Sequence, residues 1–134
     1  MADGAYMDMG EGKKTIMVVD DEAETVQLVM AVLELANFKV MSFINPNEGL
    51  DALKSGILRP DLIVLDVMMP SINGIEFSRR VREDLKMHDL KIVYFTAAPE
   101  LVTDRTQEHR ILGVISKPFT NDNLVERVQQ YVNR

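Results

Sequence analysis

Residues 62–77 read LIVLDVMMPSINGIEF. Four consecutive apolar side chains run into a single carboxylate, Asp66. A loop containing Pro70 follows, and Gly74 opens a pattern in which Phe77 and Val81 share one helical face, through about Glu83. A strand that is apolar at successive rather than alternate positions is one covered on both faces, as in a parallel sheet. The same texture recurs outward in both directions, at 15–19, 38–43, 61–65, 91–95 and 112–115. Helical patterns separate these runs. Val26, Val29, Met30 and Leu33 fall at i, i+3, i+4 and i+7, and Leu124, Val125, Val128, Tyr131 and Val132 make a second stripe. Asn45, Pro46 and Glu48 are the start signals of another helix, with Gly56 as its terminator. The weakest pattern, 99–108, has only Leu101 and Val102 as anchors and predicts a short, mobile helix. Five β-α repeats predict an α/β fold with a parallel sheet and right-handed crossovers.

At 134 residues with 46% hydrophobic content, the chain has the size and apolar supply of one domain. Its 15 Lys+Arg against 21 Asp+Glu give a net charge of −6. A free-standing nucleic-acid binder needs a basic stripe to displace phosphate counterions, so direct nucleic-acid binding is not expected. The absence of Cys excludes disulfides, thiol nucleophiles and Cys-ligated zinc, and two His exclude a His-rich metal site. No apolar run approaches the ~20 residues of a membrane helix, and MADGAYMDMGEGKK lacks the apolar core of a signal peptide. Residues 1–14 therefore read as a flexible leader ahead of a domain at 15–134, in a soluble, cytoplasmic protein with no membrane contact.

In open α/β sheets, ligands bind beyond the carboxyl ends of the strands. The first run ends in Asp20, Asp21 and Glu22, the third in Asp66, the fourth in Thr96 and the fifth in Lys117. Crowded carboxylates repel unless a cation neutralises them, and an all-oxygen set without His or Cys favours Mg²⁺. A hard cation with an ammonium and a hydroxyl can hold a phosphoryl group, and an Asp can itself accept one. Each residue has an ordinary alternative. The acidic pair suits a helix N-terminus, Asp66 and Thr96 suit caps, and Lys117 suits an exposed loop. Their joint placement at four strand ends favours the functional reading.

The ordered set VVDDE at 18–22, LIVLDVMMPSINGIEF at 62–77, Thr96-Ala97 and SKPF at 116–119 resembles the receiver domain of two-component response regulators, across residues 15–132. The resemblance implies a flavodoxin-like, doubly wound (βα)5 fold with helices on both faces of a five-stranded sheet in the order 2-1-3-4-5. It implies that Asp66 is the phosphoacceptor and that Asp21, Asp66 and the main-chain carbonyl of Met68 ligate Mg²⁺ (or Mn²⁺), with Asp20 acting through water. Thr96, Ala97 and Lys117 would bind the phosphoryl group and carry the switch, and Pro118 would follow a cis peptide.

The implied donor is a phosphohistidine on a sensor histidine kinase or histidine phosphotransfer protein, docking on Thr25, Leu28 and Phe119. Leu28 and Val32 are expected to lie off the core stripe as an apolar docking surface. Such a domain is a signalling switch rather than an enzyme, and a monomer or a weak, phosphorylation-linked dimer.

Two positions depart from the family pattern. Val114 replaces the aromatic that commonly turns inward when such domains switch. Met68 and Ala98 are apolar where polar side chains help position the hydrolytic water, which implies a long phosphoryl lifetime. Two rival readings are a degenerate receiver, which would usually lack an acid or the lysine, and a Mg²⁺-dependent aspartyl-phosphate phosphohydrolase, which would carry a second acid at Met68.

Overall fold

The computed structural model describes residues 12–134; positions 1–11, most of the expected leader, lie outside the described residues. Strands β1 (Thr15–Val19), β2 (Lys39–Phe43), β3 (Leu62–Asp66), β4 (Ile92–Thr96) and β5 (Gly113–Ser116) form one parallel sheet in the order β2-β1-β3-β4-β5. The helices between them are α1 (Ala23–Leu35), α2 (Pro46–Ser55), α3 (Gly74–Arg79) and, after β5, α4 (Asn121–Val132). Fold class and strand order are those the sequence implies.

The consecutive apolar residues of each strand divide between two faces. Ile16, Val18, Val64, Val93 and Phe95 pack with Val29, Leu33 and Val128 from α1 and α4. Met17, Val19, Leu65 and Tyr94 pack on the opposite side with Leu53 and Phe77 from α2 and α3. β1, β3 and β4, buried at every position but Thr15, thus carry apolar residues on both faces, up to Asp66 and Thr96 at the carboxyl ends of β3 and β4. Local signals set the helix ends. Asn45 Oδ1 accepts from Asn47 N at 2.9 Å, Pro46 is the first residue of α2, and Gly56 closes it at φ +79°. Asn73 caps α3 and Thr120 caps α4 in the same way.

Three expectations are corrected. The helix opening at Gly74 is α-helical only to Arg79 and continues as a π-turn over Arg80–Asp84. The segment read as a helix at 99–108 is two 3₁₀ pieces, Pro99–Leu101 and Thr103–His109. With only Val102 of that stretch fully buried, no apolar stripe stabilises an α-helix. Val32 is 7% exposed and belongs to the core, whereas Leu28 is 49% exposed. Val32 joins Val29 and Leu33 because α4 packs beside α1 on the same face of the sheet, which widens the buried face of α1.

Candidate functional site

The site lies where the strand order reverses, between the carboxyl ends of β1 and β3. Asp20 follows β1, with its N–H donating to the Phe43 carbonyl at 3.1 Å, and Asp66 is the last residue of β3. Both side chains are buried, while Asp21 is exposed. The three offer carboxylate oxygens all within 4.8 Å of one another. With no nitrogen or sulfur among the donors, the set fits a hard divalent cation.

Lys117 reaches this cluster from the end of β5. Its Nζ donates to Asp20 Oδ2 at 2.7 Å and lies 3.6 Å from Asp66 Oδ1 and 3.8 Å from Glu22 Oε1. The Lys117 N–H donates to the Thr96 carbonyl at 2.8 Å, so the register of β4 with β5 sets both residues at one edge. The Lys117–Pro118 peptide is cis. The ammonium also lies 4.7 Å from the centre of the Phe95 ring, which packs at a tilt of 45° against the Phe119 ring, centre to centre 5.5 Å. Thr96 is buried, and its Oγ1 accepts from the Ala98 N–H at 3.0 Å.

Asp66 Oδ1 accepts from the Met68 N–H at 3.2 Å. Burial, and secondarily the Asp20 charge, push the Asp66 carboxyl from 3.8 up to about 7, against the opposing pull of Lys117. A cation or a bound phosphoryl group would therefore find a carboxylate whose charge is costly to hold.

The sequence reading missed the part played by Gly74. Its N–H donates to the Val67 carbonyl at 2.9 Å, folding the loop after Asp66 back on the strand. A Cβ there would stand 2.6 Å from the Asp66 carbonyl oxygen and 2.9 Å from Val67 Cα, so only glycine lets α3 start this close. The pairing of Lys117 with Asp20 was also not foreseen. Three acids and one lysine at strand ends signal a cluster but not which carboxylate takes the ammonium. Elsewhere, Met68 is 62% exposed at the mouth, Ala97 is exposed and Ala98 half-buried. Val114 is half-buried beside Tyr94 in the sheet. Thr25 and Phe119 are half-buried, Thr25 Oγ1 donating to Glu22 Oε1 at 3.5 Å and Phe119 packing on Phe95.

A doubly wound α/β domain with an acidic, lysine-paired pocket at its switch edge defines the class, and the comparisons narrow it. The family model of the response regulator receiver domain matches residues 16–129, and the chain belongs to that family. The phosphate regulon transcriptional regulatory protein PhoB of Pseudomonas aeruginosa is 32% identical over 128 residues, covering 90% of this chain and 52% of that protein. The polar-differentiation response regulator DivK of Brucella anthropi is 25% identical, covering 89% of this chain and 96% of that protein. The solved chemotaxis response regulator CheY4 of Vibrio cholerae superposes with a TM-score of 0.78 at 27% identity, covering 89% of this chain and 98% of that one. The chain spans about half the length of PhoB and of two further curated relatives. Receiver domains are signalling switches of two-component systems. Among the described residues no helix is long and apolar enough to cross a membrane.

Proposed function

We propose that this domain, spanning 15–134, is switched by transfer of a phosphoryl group from a phosphohistidine to Asp66. The observation that carries the reading is the convergence of Asp20, Asp21, Asp66 and Lys117 within a few ångströms at the switch edge. An Asp66 carboxylate oxygen attacks phosphorus, the O–P bond forms, and the N–P bond breaks with its electron pair leaving on the imidazole. The domain's part is alignment and charge neutralisation, which is most of what phosphoryl transfer needs.

Asp21 and Asp66, with the Met68 carbonyl and Asp20 through water, would hold Mg²⁺ or Mn²⁺, which when bound would offset the charge of the transferring oxygens. The other groups come from the chain. Lys117 already lies between Asp20 and Asp66 and needs only a small swing to pair with a phosphoryl oxygen. Thr96 keeps its hydroxyl proton available while accepting from Ala98, so it can donate to the same group. Ala97 and Ala98, with small side chains, let that backbone follow.

For docking, Leu28 and Thr25 on α1 and Phe119 after the cis peptide offer a partly apolar surface beside the pocket to a sensor kinase or phosphotransfer protein, consistent with a cytoplasmic setting. The same reading makes the chain a self-modifying switch rather than a turnover enzyme.

The test is incubation with acetyl phosphate and Mg²⁺, following intact mass and released phosphate for the protein and for Asp66→Asn. A stable adduct that requires Asp66 supports the switch. Rapid phosphate release with turnover would instead indicate a phosphohydrolase. No adduct at all would indicate an interaction module that works without phosphorylation.

A further inference from the structure

A second concentration of charge lies at the opposite edge of the sheet from Asp66, before the amino ends of β4 and β5. The length of a strand, ~15 Å, separates the two edges. Here a cavity of about 490 Å³ opens between the turn after α3 and the end of the 3₁₀ stretch, lined in part by Arg82, Lys86, His88 and Arg110. Its size is within the roughly 300–1,000 Å³ usual for small-molecule sites. The π-turn over Arg80–Asp84, closed by the Leu85 N–H on the Arg80 carbonyl at 2.9 Å, sets Arg82 against this cavity. Such single π-turns are frequent at functional sites.

Arg82 is a cation taken out of water with no carboxylate bonded to it, and it is only 4% exposed. Its Nε donates to the His109 carbonyl at 2.9 Å, Nη1 to the Met87 carbonyl at 2.8 Å and Nη2 to the Arg110 carbonyl at 3.2 Å. Neutral carbonyls thus satisfy three of its five N–H groups but leave its charge uncompensated. Burial, and secondarily the neighbouring Arg110 charge, push the guanidinium pKa down, against the pull of Asp89. The acids that line the cavity are engaged elsewhere. Glu83 and Asp84 each lie 3.4 Å from Arg79, and Glu108 lies 3.1 Å from Arg105. Among the described residues, Lys86 and Arg110 join no ion pair. Arg110 Nη2 donates to His88 Nδ1 at 2.8 Å, which leaves the ring hydrogen of His88 on Nε2 as a further donor. Lys86 and Arg110 also both hold left-handed backbone, at φ +60° and +56°. Two such non-glycine residues lining one cavity are strain of the kind kept at ligand sites.

We propose that this cavity binds a small phosphate-bearing anion, held by Arg82, Lys86 and Arg110. Cations from the π-turn, the loop after it and the end of the 3₁₀ stretch suit a tetrahedral dianion with several oxygens, whereas a planar carboxylate needs only one guanidinium fork. The cavity is larger than inorganic phosphate, so the phosphate can carry an organic group. Bound there, the anion ties the turn after α3 to the end of the 3₁₀ stretch. The site is separate from the Asp66 pocket and does not depend on the reading of Asp66 as acceptor.

The test titrates inorganic phosphate into the full chain, in metal-free chelating buffer at constant ionic strength, and follows the backbone amide resonances. Without a divalent cation the Asp66 pocket holds three carboxylates and repels this probe. Saturable shifts centred on residues 82–88 and 109–110 are expected, with a Kd of about 5 mM or tighter. Lys86→Asn with Arg110→Asn, which keeps residues that tolerate left-handed backbone, should weaken binding by about tenfold or more. Acetate at the same ionic strength should bind about tenfold or more weakly than phosphate. Shifts that fail to saturate, that centre on Asp20, Asp66 and Lys117, or that persist unchanged in the variant would overturn the proposal. Acetate binding as tightly as phosphate would overturn its choice of ligand. Should the double variant lose its fold, Arg110→Asn alone carries the same prediction of weaker binding.

Discussion

Asp66 carries the largest electrostatic cost in the site. Its pKa in the fold, about 7 against 3.8, means that the folded protein binds more protons than the unfolded chain between those values. Stability in metal-free buffer therefore falls as pH rises from about 4 through 7. Asp66→Asn removes that burden, so at pH 7.5 without divalent metal the variant should be more stable by something on the order of 2 kcal/mol. The gain should fade toward pH 4.5. Denaturant melts at the two pH values measure this, and a gain that is equal at both would point to packing rather than charge. Two other residues bear on lifetime. Met68 leaves the mouth of the site without a polar side chain, and Ala98 does the same beside Thr96. Met68→Asn with Ala98→Glu should shorten the acyl-phosphate half-life at least threefold, about 0.7 kcal/mol of barrier, by positioning water. An unchanged decay of the purified phosphoprotein would remove these two positions from the account.

At the scale of elements, the close start of α3 on the end of β3 is the feature that fixes Asp66. Gly74→Ala would force a Cβ against two backbone atoms, neither of which can rotate away. The expected cost is about 1–3 kcal/mol, with a tenfold or greater loss in phosphorylation rate as Asp66 is displaced. Gly56→Ala is the contrast. Its φ of +79° makes alanine strained, at about 1–2 kcal/mol, but nothing crowds it, so stability should fall with phosphorylation unchanged. Thermal melts beside rates with acetyl phosphate separate the two cases.

Which elements were legible in the sequence follows the same physics. The strands and α2 were readable because consecutive apolar runs, Asn45, Pro46 and Gly56 each carry a local signal. The π-turn after Arg79 and the 3₁₀ pieces were not, because a stripe of apolar positions does not report whether a carbonyl bonds three, four or five residues ahead. Val32 was misplaced because α1 alone does not reveal that α4 packs on its flank. Asp20, Asp21, Asp66, Thr96 and Lys117 were legible as residues at strand ends, but the Lys117–Asp20 pair and the Gly74 approach depend on distances that only the fold sets.

For the whole molecule, the net charge of −6 is partly a local property. Asp20, Asp21 and Asp66 concentrate three negative charges at one sheet edge, against which the chain sets one ammonium, Lys117. Such an imbalance suits a pocket that gains from a divalent cation and then from a single phosphoryl group bridged by cation and lysine. The two cores on either side of the sheet hold that edge in place, while the 3₁₀ stretch, thinly buried, is the part best able to move.

The most direct test of this account is to treat the protein with acetyl phosphate in the presence and absence of Mg²⁺, trap the acyl phosphate by borohydride reduction, and locate it by peptide mass mapping. The account predicts one trapped site, at Asp66, formed with Mg²⁺ and nearly abolished by chelation. Modification at Asp20 or Asp21, or equal labelling without the metal, would contradict it.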